Sequence, residues 1–237
     1  MEFTNIIMQK FKLKISDYNI SYFVGYDQFY LDIDKYKLEN QLKADEKVLK
    51  KLISQTSQIQ NQFEGVNIQL LDHSYLLNQR HLFLGYYFMQ RAFKLGLNIS
   101  NKRNIELLLY LTGKRQIKHA LNAFGLKIPK LYNKPITFCI LSSKNNLNDI
   151  RKAIQKKISN NFVEHIDIND LKREKLELIR NFFNFNLKQL QVISNSYNYD
   201  FKEISENKEN LEDYAKILAD LISEKMSKLS LEKIKRS

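Results

Sequence analysis

The chain is 237 residues long, 43% hydrophobic and 27% charged, with six glycines, two prolines and one cysteine. That length and hydrophobic share suffice for a core and exclude collagen-like and disordered compositions, while the single Cys139 excludes an intrachain disulfide framework and a multi-cysteine zinc site. The formal net charge of +12 predicts attraction to a polyanion.

Met1 to Leu13 interleaves Lys10 and Lys12 with apolar residues and lacks the apolar centre of a secretion signal. No later run reaches the roughly 18 apolar residues of a membrane span. A reducing, cytoplasmic location without membrane contact is expected. Tyr18 to Tyr26, rich in β-branched and aromatic residues, predicts a strand. Lys35 to Gln60 predicts an amphipathic helix and Val66 to Leu71 a short strand. From Ser74 to Leu95 an apolar row at helical spacing predicts a core-facing helix stopped by Gly96. A short buried helix follows, capped by Ser100 or Asn101 and running to Leu111, then a break at Thr112 and Gly113 and a third helix over Lys114 to Phe124. Pro129 and Pro135 bracket a connector to a strand at Ile136 to Ser142. A helix at Leu147 to Ile158, a strand at Val163 to Ile168 and a helix at Leu171 to Phe183 come next. Residues 184–210 are polar and Asn-rich and predict a loop or insertion, with one short element around Leu187 to Ile193, before a closing helix at Leu211 to Leu231. Strands scattered among helices predict an α+β fold, with a small mixed, largely antiparallel sheet packed with several helices in a single helix-rich domain over 1–237.

The charge is unevenly placed. Residues 1–77 carry a net −1, residues 78–134 a net +10 and residues 135–237 a net +3, and Glu106 is the only acid of the middle block. The centre of the chain therefore reads as a contact surface. Bond chemistry finds little support there. No GxxxxGK[ST] or GxGxxG occurs, and Thr112-Gly113-Lys114 is only a fragment of a phosphate loop. His73, His81, His119 and His165 form no HExxH pair, so each reads as a structural or surface histidine, and no metal site, cofactor or catalytic residue is expected. Cys139 lies inside an apolar strand, where a thiol behaves as a small hydrophobe.

In the third predicted helix, Ile117, Ala120, Leu121 and Phe124 share one face at i, i+3, i+4 and i+7, leaving Lys114, Arg115, Lys118 and Asn122 outward. Cations in a first turn oppose the helix dipole, and Lys102 and Arg103 crowd the start of the preceding helix in the same way. A phosphate at such helix starts meets free amide donors and side-chain cations together, so the two pairs predict a groove that tracks an anionic backbone. Two short helices joined by a Gly-containing turn also match the outline of a helix-turn-helix, making a DNA-binding regulator that reads with helix 114–124 the alternative.

The run Arg91-Ala92-Phe93-Lys94-Leu95-Gly96-Leu97-Asn98-Ile99-Ser100, followed by Ile105-Glu106-Leu107-Leu108-Leu109-Tyr110-Leu111-Thr112-Gly113-Lys114-Arg115-Gln116-Ile117, Ala120 and Phe124-Gly125-Leu126-Lys127, resembles the small subunit of the KEOPS complex, the family of the kinase-binding protein TPRKB. The resemblance is close over about residues 66–142. Residues 35–60 and 184–210 look like expansions. KEOPS installs threonylcarbamoyl on the adenosine beside the anticodon of certain tRNAs, with catalysis in a separate subunit. The resemblance therefore implies a non-catalytic protein, nuclear as well as cytoplasmic in a eukaryote. Its implied partners are the atypical KEOPS kinase and, through that kinase, the remaining KEOPS subunits. Archaeal-type members also hold the single-stranded CCA end of tRNA, and Arg115, Gln116 and Ile117 occupy the tripeptide of that site. In physical terms Lys102, Arg103, Lys114, Arg115 and Lys118 can serve phosphates and Gln116 a base edge. Ile117 has two readings, base contact or core. Tyr86, Tyr87 and Tyr110 are stacking partners or core aromatics. The exposed sides of the Ser74–Leu95 and Leu211–Leu231 helices are the expected kinase surface, and an adaptor that lacks RNA contact is a third reading.

Overall fold

The computed structural model describes residues 8–15, 20–31, 41–127, 134–159, 161–163, 171–201 and 210–234. In chain order the elements are β1 (Gln9–Ile15), β2 (Ile20–Phe29), α1 (Gln41–Gln62), β3 (Val66–Leu71), a 3-10 turn (His73–Tyr75), α2 (Gln79–Leu95), α3 (Arg103–Thr112), α4 (Ile117–Phe124), β4 (Ile136–Ser142), α5 (Leu147–Lys157), α6 (Arg173–Phe183), α7 (Leu187–Ser196) and α8 (Leu211–Ile234). The fold is α+β. Its contacts gather into two compact units, Met1–Asp72 with Gly125–Ile166, and His73–Phe124 with Asp167–Ser237.

The first unit is a four-stranded sheet in the order β1-β2-β4-β3. Each of its three ladders is antiparallel, so no parallel pair makes the sheet mixed among the described residues. Every residue of β3 and β4 is buried, the polar Asn67, Gln69, Thr137 and Ser142 included. Their register sets Ile68 opposite Ile140 and Leu70 opposite Phe138, and these side chains join Leu52 and Ile59 of α1 and Ile150 and Ile154 of α5 in one core. The outer edge of β3 is partly closed, since the Ile68 amide donates to Gln60 Oε1 at 3.0 Å. A buried ion pair ties α5 to β2. Arg151 Nε donates to Asp27 Oδ2 at 2.5 Å, and burial holds the Asp27 carboxyl above its ordinary range despite that partner. β1 arises where no element is predicted. Its alternation of Lys10, Lys12 and Lys14 with apolar residues has the two-residue period of an edge strand.

The second unit is helical and packs on α8, which buries Tyr214, Ile217, Leu218, Leu221, Ile222 and Met226 and touches α2, α3, α6 and α7. α2 begins at Gln79, after the 3-10 turn, because the Asn78 side chain accepts from the His81 amide at 3.0 Å and caps it there. His81 pins this corner to α3. Its Nδ1 accepts from the Leu77 amide at 3.2 Å and its Nε2–H donates to the Leu111 carbonyl at 2.9 Å. Burial lowers its pKa to about 4 and keeps the ring neutral. Cys139, in the sheet, is also fully buried, which pushes its thiol far up.

The short element expected around Leu187 to Ile193 is a ten-residue helix, Leu187–Ser196. α7 is held by a capping box in which Asn186 and Gln189 exchange side-chain and backbone bonds, a signal masked by the polar composition around it. Residues 202–209 lie outside the described residues. So do 164–168 of the predicted strand at Val163 to Ile168; beside it Phe162 forms an antiparallel bridge to Phe29, and the Val163 amide donates to the Gln28 carbonyl at 3.0 Å. Pro129, Lys130 and His165 also fall outside.

Candidate functional site

α3 ends at Gly113, whose φ of 59° is the left-handed cap that lets its amide reach the Tyr110 carbonyl and the Lys114 amide reach the Leu109 carbonyl. α4 begins only at Ile117, with Gln116 supplying the first carbonyl to the Ala120 amide. Lys114 and Arg115 thus stand in the turn before α4 and not in its first turn. The expected dipole conflict is absent. Beside the C-terminal carbonyls of α3 these cations are favourably placed.

The turn lies hard against α8. A Cβ added to Gly113 would sit 2.9 Å from Lys225 Cβ, an approach only glycine permits. Lys225 and Lys228, three residues apart, share a face of α8. With Lys114, Arg115, Gln116 and His119 they line a cleft of about 550 Å³, to which Gly113 and Leu229 also contribute. Among the described residues no acidic side chain lines it. Two cations rest on aromatic rings from the C-terminal corner of α6, with Lys114 Nζ 5.3 Å from the Phe182 centroid and Lys225 Nζ 5.3 Å from that of Phe185. Asn184, in the left-handed region at φ 54°, turns the chain between those two rings. Burial lowers the pKa of Lys225, and the neighbouring charges of Lys114 and Lys228 lower it further. Lys228 is also paired with Glu224 one turn back. Arg115 Nη1 is buried and makes no hydrogen bond among the described residues.

Not every expected side chain is brought here. Lys102 and Arg103 stand at the opposite end of α3, ten residues and about 15 Å along the helix axis, and neither lines the cleft. The groove between two adjacent helix starts therefore does not form. Arg103 is occupied locally, donating to Gln90 Oε1 and lying 4.8 Å over the Phe93 ring. Lys118 is exposed on α4 but also lies outside the cleft lining. Glu106, the one acid of the basic block, is fully buried. Its carboxylate accepts from the Ile99 and Ser100 amides at 2.7 to 3.0 Å, so the one acid of the block braces a turn inside the protein.

α4 buries Ala120, Ala123 and Phe124. Ile117 and Leu121, expected on that face, are each 43% exposed. The start of the helix at Ile117 gives it barely two turns. Packing of its Ala/Phe side against α3 and the 3-10 turn rotates both residues outward. Ile117 is thus not core. Tyr86 and Tyr110 are buried, and Tyr87 is half-buried against Phe88. His119, Lys225 and Lys228 were missed as site residues. The last two lie over 100 residues from the turn, and their only trace in the sequence is a pair of lysines at i, i+3 in the closing helix.

Among the described residues no cluster of histidine, cysteine, aspartate or glutamate could hold a metal ion, and no helix is long and apolar enough to cross a membrane. The family model described as kinase binding protein CGI-121 matches residues 37–228. No curated protein matches the chain.

Proposed function

The chain belongs to the family of kinase binding protein CGI-121, a small KEOPS subunit, and from that premise we propose that it binds the complex's atypical kinase and holds the 3′ CCA end of tRNA without doing bond chemistry itself. The observation that carries the RNA half is the cleft, where cations from the Gly113–Gln116 turn and from α8 converge with no acid among the lining residues. A volume of about 550 Å³ falls in the range of small-ligand pockets and accommodates nucleotide-sized groups. Charged walls of this kind attract phosphates, and the exposed Ile117 at the start of α4 offers an apolar surface for an unstacked base. Gln116, in the lining, can donate to and accept from a base edge.

The duplex-DNA reading fits this geometry less well. The solvent side of α4 presents Ile117, Lys118, Leu121 and Asn122, two of them apolar, whereas a helix entering the major groove needs donors and acceptors along that side. The cations sit in a concavity, which suits a loose strand rather than a rigid duplex.

The test compares affinity for intact tRNA with affinity for tRNA lacking its CCA end. Weaker binding of the truncated RNA is expected, and equal affinities refute the anchoring role. Arg115→Glu is expected to weaken RNA binding while kinase binding persists. Loss of both would mark a folding defect and refute the assignment of Arg115 to RNA alone.

A further inference from the structure

We infer that α8 supplies half of the RNA grip, with Lys225 and Lys228 acting as affinity-determining residues that clamp the same phosphate run as Lys114 and Arg115 across the cleft. This inference rests on the proposed RNA reading and goes beyond the residues to which the sequence led.

The argument starts from what the α8 lysines do in the protein alone. Lys225 is held close by the Gly113 turn, where its Cβ marks the nearest approach of α8. Its ammonium is half-buried among Lys114 and Lys228, over the ring of Phe185. The charges around it oppose folding on balance, because two like charges face it against the single carboxylate of Glu224 among the described residues, and the ring of Phe185 offsets only part of that repulsion. A methionine would pack the same stem on the same ring without repulsion. A lysine retained against local electrostatics points to an outside anion that reverses their sign. Arg115, half-buried in the lining of the same cleft, is a second and independent sign, since its Nη1 makes no hydrogen bond among the described residues and the protein does not saturate this guanidinium itself. The chemistry of the occupant follows. Four cations on two walls suit successive phosphodiesters of a single strand passing between them better than one isolated anion.

The experiment measures tRNA affinity and its salt dependence for the full chain and for Lys225→Met, Lys228→Met, Lys225→Arg and the control Lys188→Met, an exposed lysine of α7 outside the cleft. Thermal stability is recorded for each. Lys225→Met is expected to lose about tenfold in affinity, and its slope of log affinity against log salt should be shallower by about 0.7, the value for one phosphate contact on a single strand. Lys228→Met should behave alike, while Lys225→Arg recovers most of the affinity and Lys188→Met changes nothing. The diagnostic is opposed effects. Lys225→Met should be at least as stable as the parent while binding RNA less well, whereas a structural lysine would lose both together. If the parent fails to distinguish intact from CCA-less tRNA, the RNA reading itself falls. If it distinguishes them, and the Lys225→Met and Lys228→Met proteins keep parental affinity and slope, this inference alone is overturned.

Discussion

Two glycines offer a controlled measure of how tightly α8 presses on the cleft. Gly96 and Gly113 cap α2 and α3 in the same way, with φ of 68° and 59° and matching amide-to-carbonyl bonds. They differ in surroundings. An added Cβ meets nothing within 4 Å at Gly96, but lies 2.9 Å from Lys225 Cβ at Gly113. Alanine at either site bears the left-handed backbone penalty of roughly 1–2 kcal/mol, partly offset by a stiffer unfolded chain. At Gly113 the contact adds an overpacking cost of about 1–3 kcal/mol, because the obstructing atom is the root of a side chain and cannot swing away. Gly96→Ala should therefore cost about 1 kcal/mol and Gly113→Ala about 2–4 kcal/mol, measured by urea denaturation with unchanged slope. Displacing α8 should also weaken tRNA binding in Gly113→Ala and leave it unchanged in Gly96→Ala. Equal stability losses would refute the close approach on which the cleft depends.

Removing the Glu106 carboxylate strips the acceptor from the Ile99 and Ser100 amides. Glu106→Ala should cost about 3 kcal/mol by denaturation and Glu106→Gln distinctly less, and a loss below about 1 kcal/mol for the alanine variant would contradict the capping role. The neutral His81 gives a pH signature. Its folded pKa of about 4 lies below the unfolded value near 6.5, so its contribution is full above pH 6.5 and is lost as pH falls towards 4, up to about 3 kcal/mol. The stability difference between the parent and His81→Gln should shrink over that window, and a difference independent of pH would exclude the assignment.

How much of this was legible in the sequence depended on the range of the interaction. Val66–Leu71 was readable as a strand from its alternation of apolar residues with Asn67 and Gln69, and Ile136–Ser142 from its dense β-branched and apolar content, which goes with burial along its whole length. The C-terminal stops at Gly96 and Gly113 were readable because a left-handed cap imposes glycine locally. The start of α4 was not, since the Schellman-type cap of α3 takes the Lys114 amide and delays the next helix to Ile117, which reverses the exposure of Ile117 and Leu121. The element expected around Leu187 to Ile193 is the helix α7, whose bounds are set by the capping box of Asn186 and Gln189. For the site, local spacing led to Lys114 and Arg115 and the family resemblance to Gln116, and these do line the cleft. It also paired them with Lys102 and Arg103, treating two ends of one helix as neighbours. The true companions, Lys225 and Lys228, arrive by tertiary packing on α8, which no local pattern encodes.

The most direct test places a photoreactive group on the 3′-terminal nucleotide of tRNA and maps the crosslinked peptide by mass spectrometry. The account predicts crosslinks within residues 113–119 and 222–229, the two walls of the cleft. Crosslinks confined to the Lys102–Arg103 segment, or to the sheet-bearing unit, would contradict it.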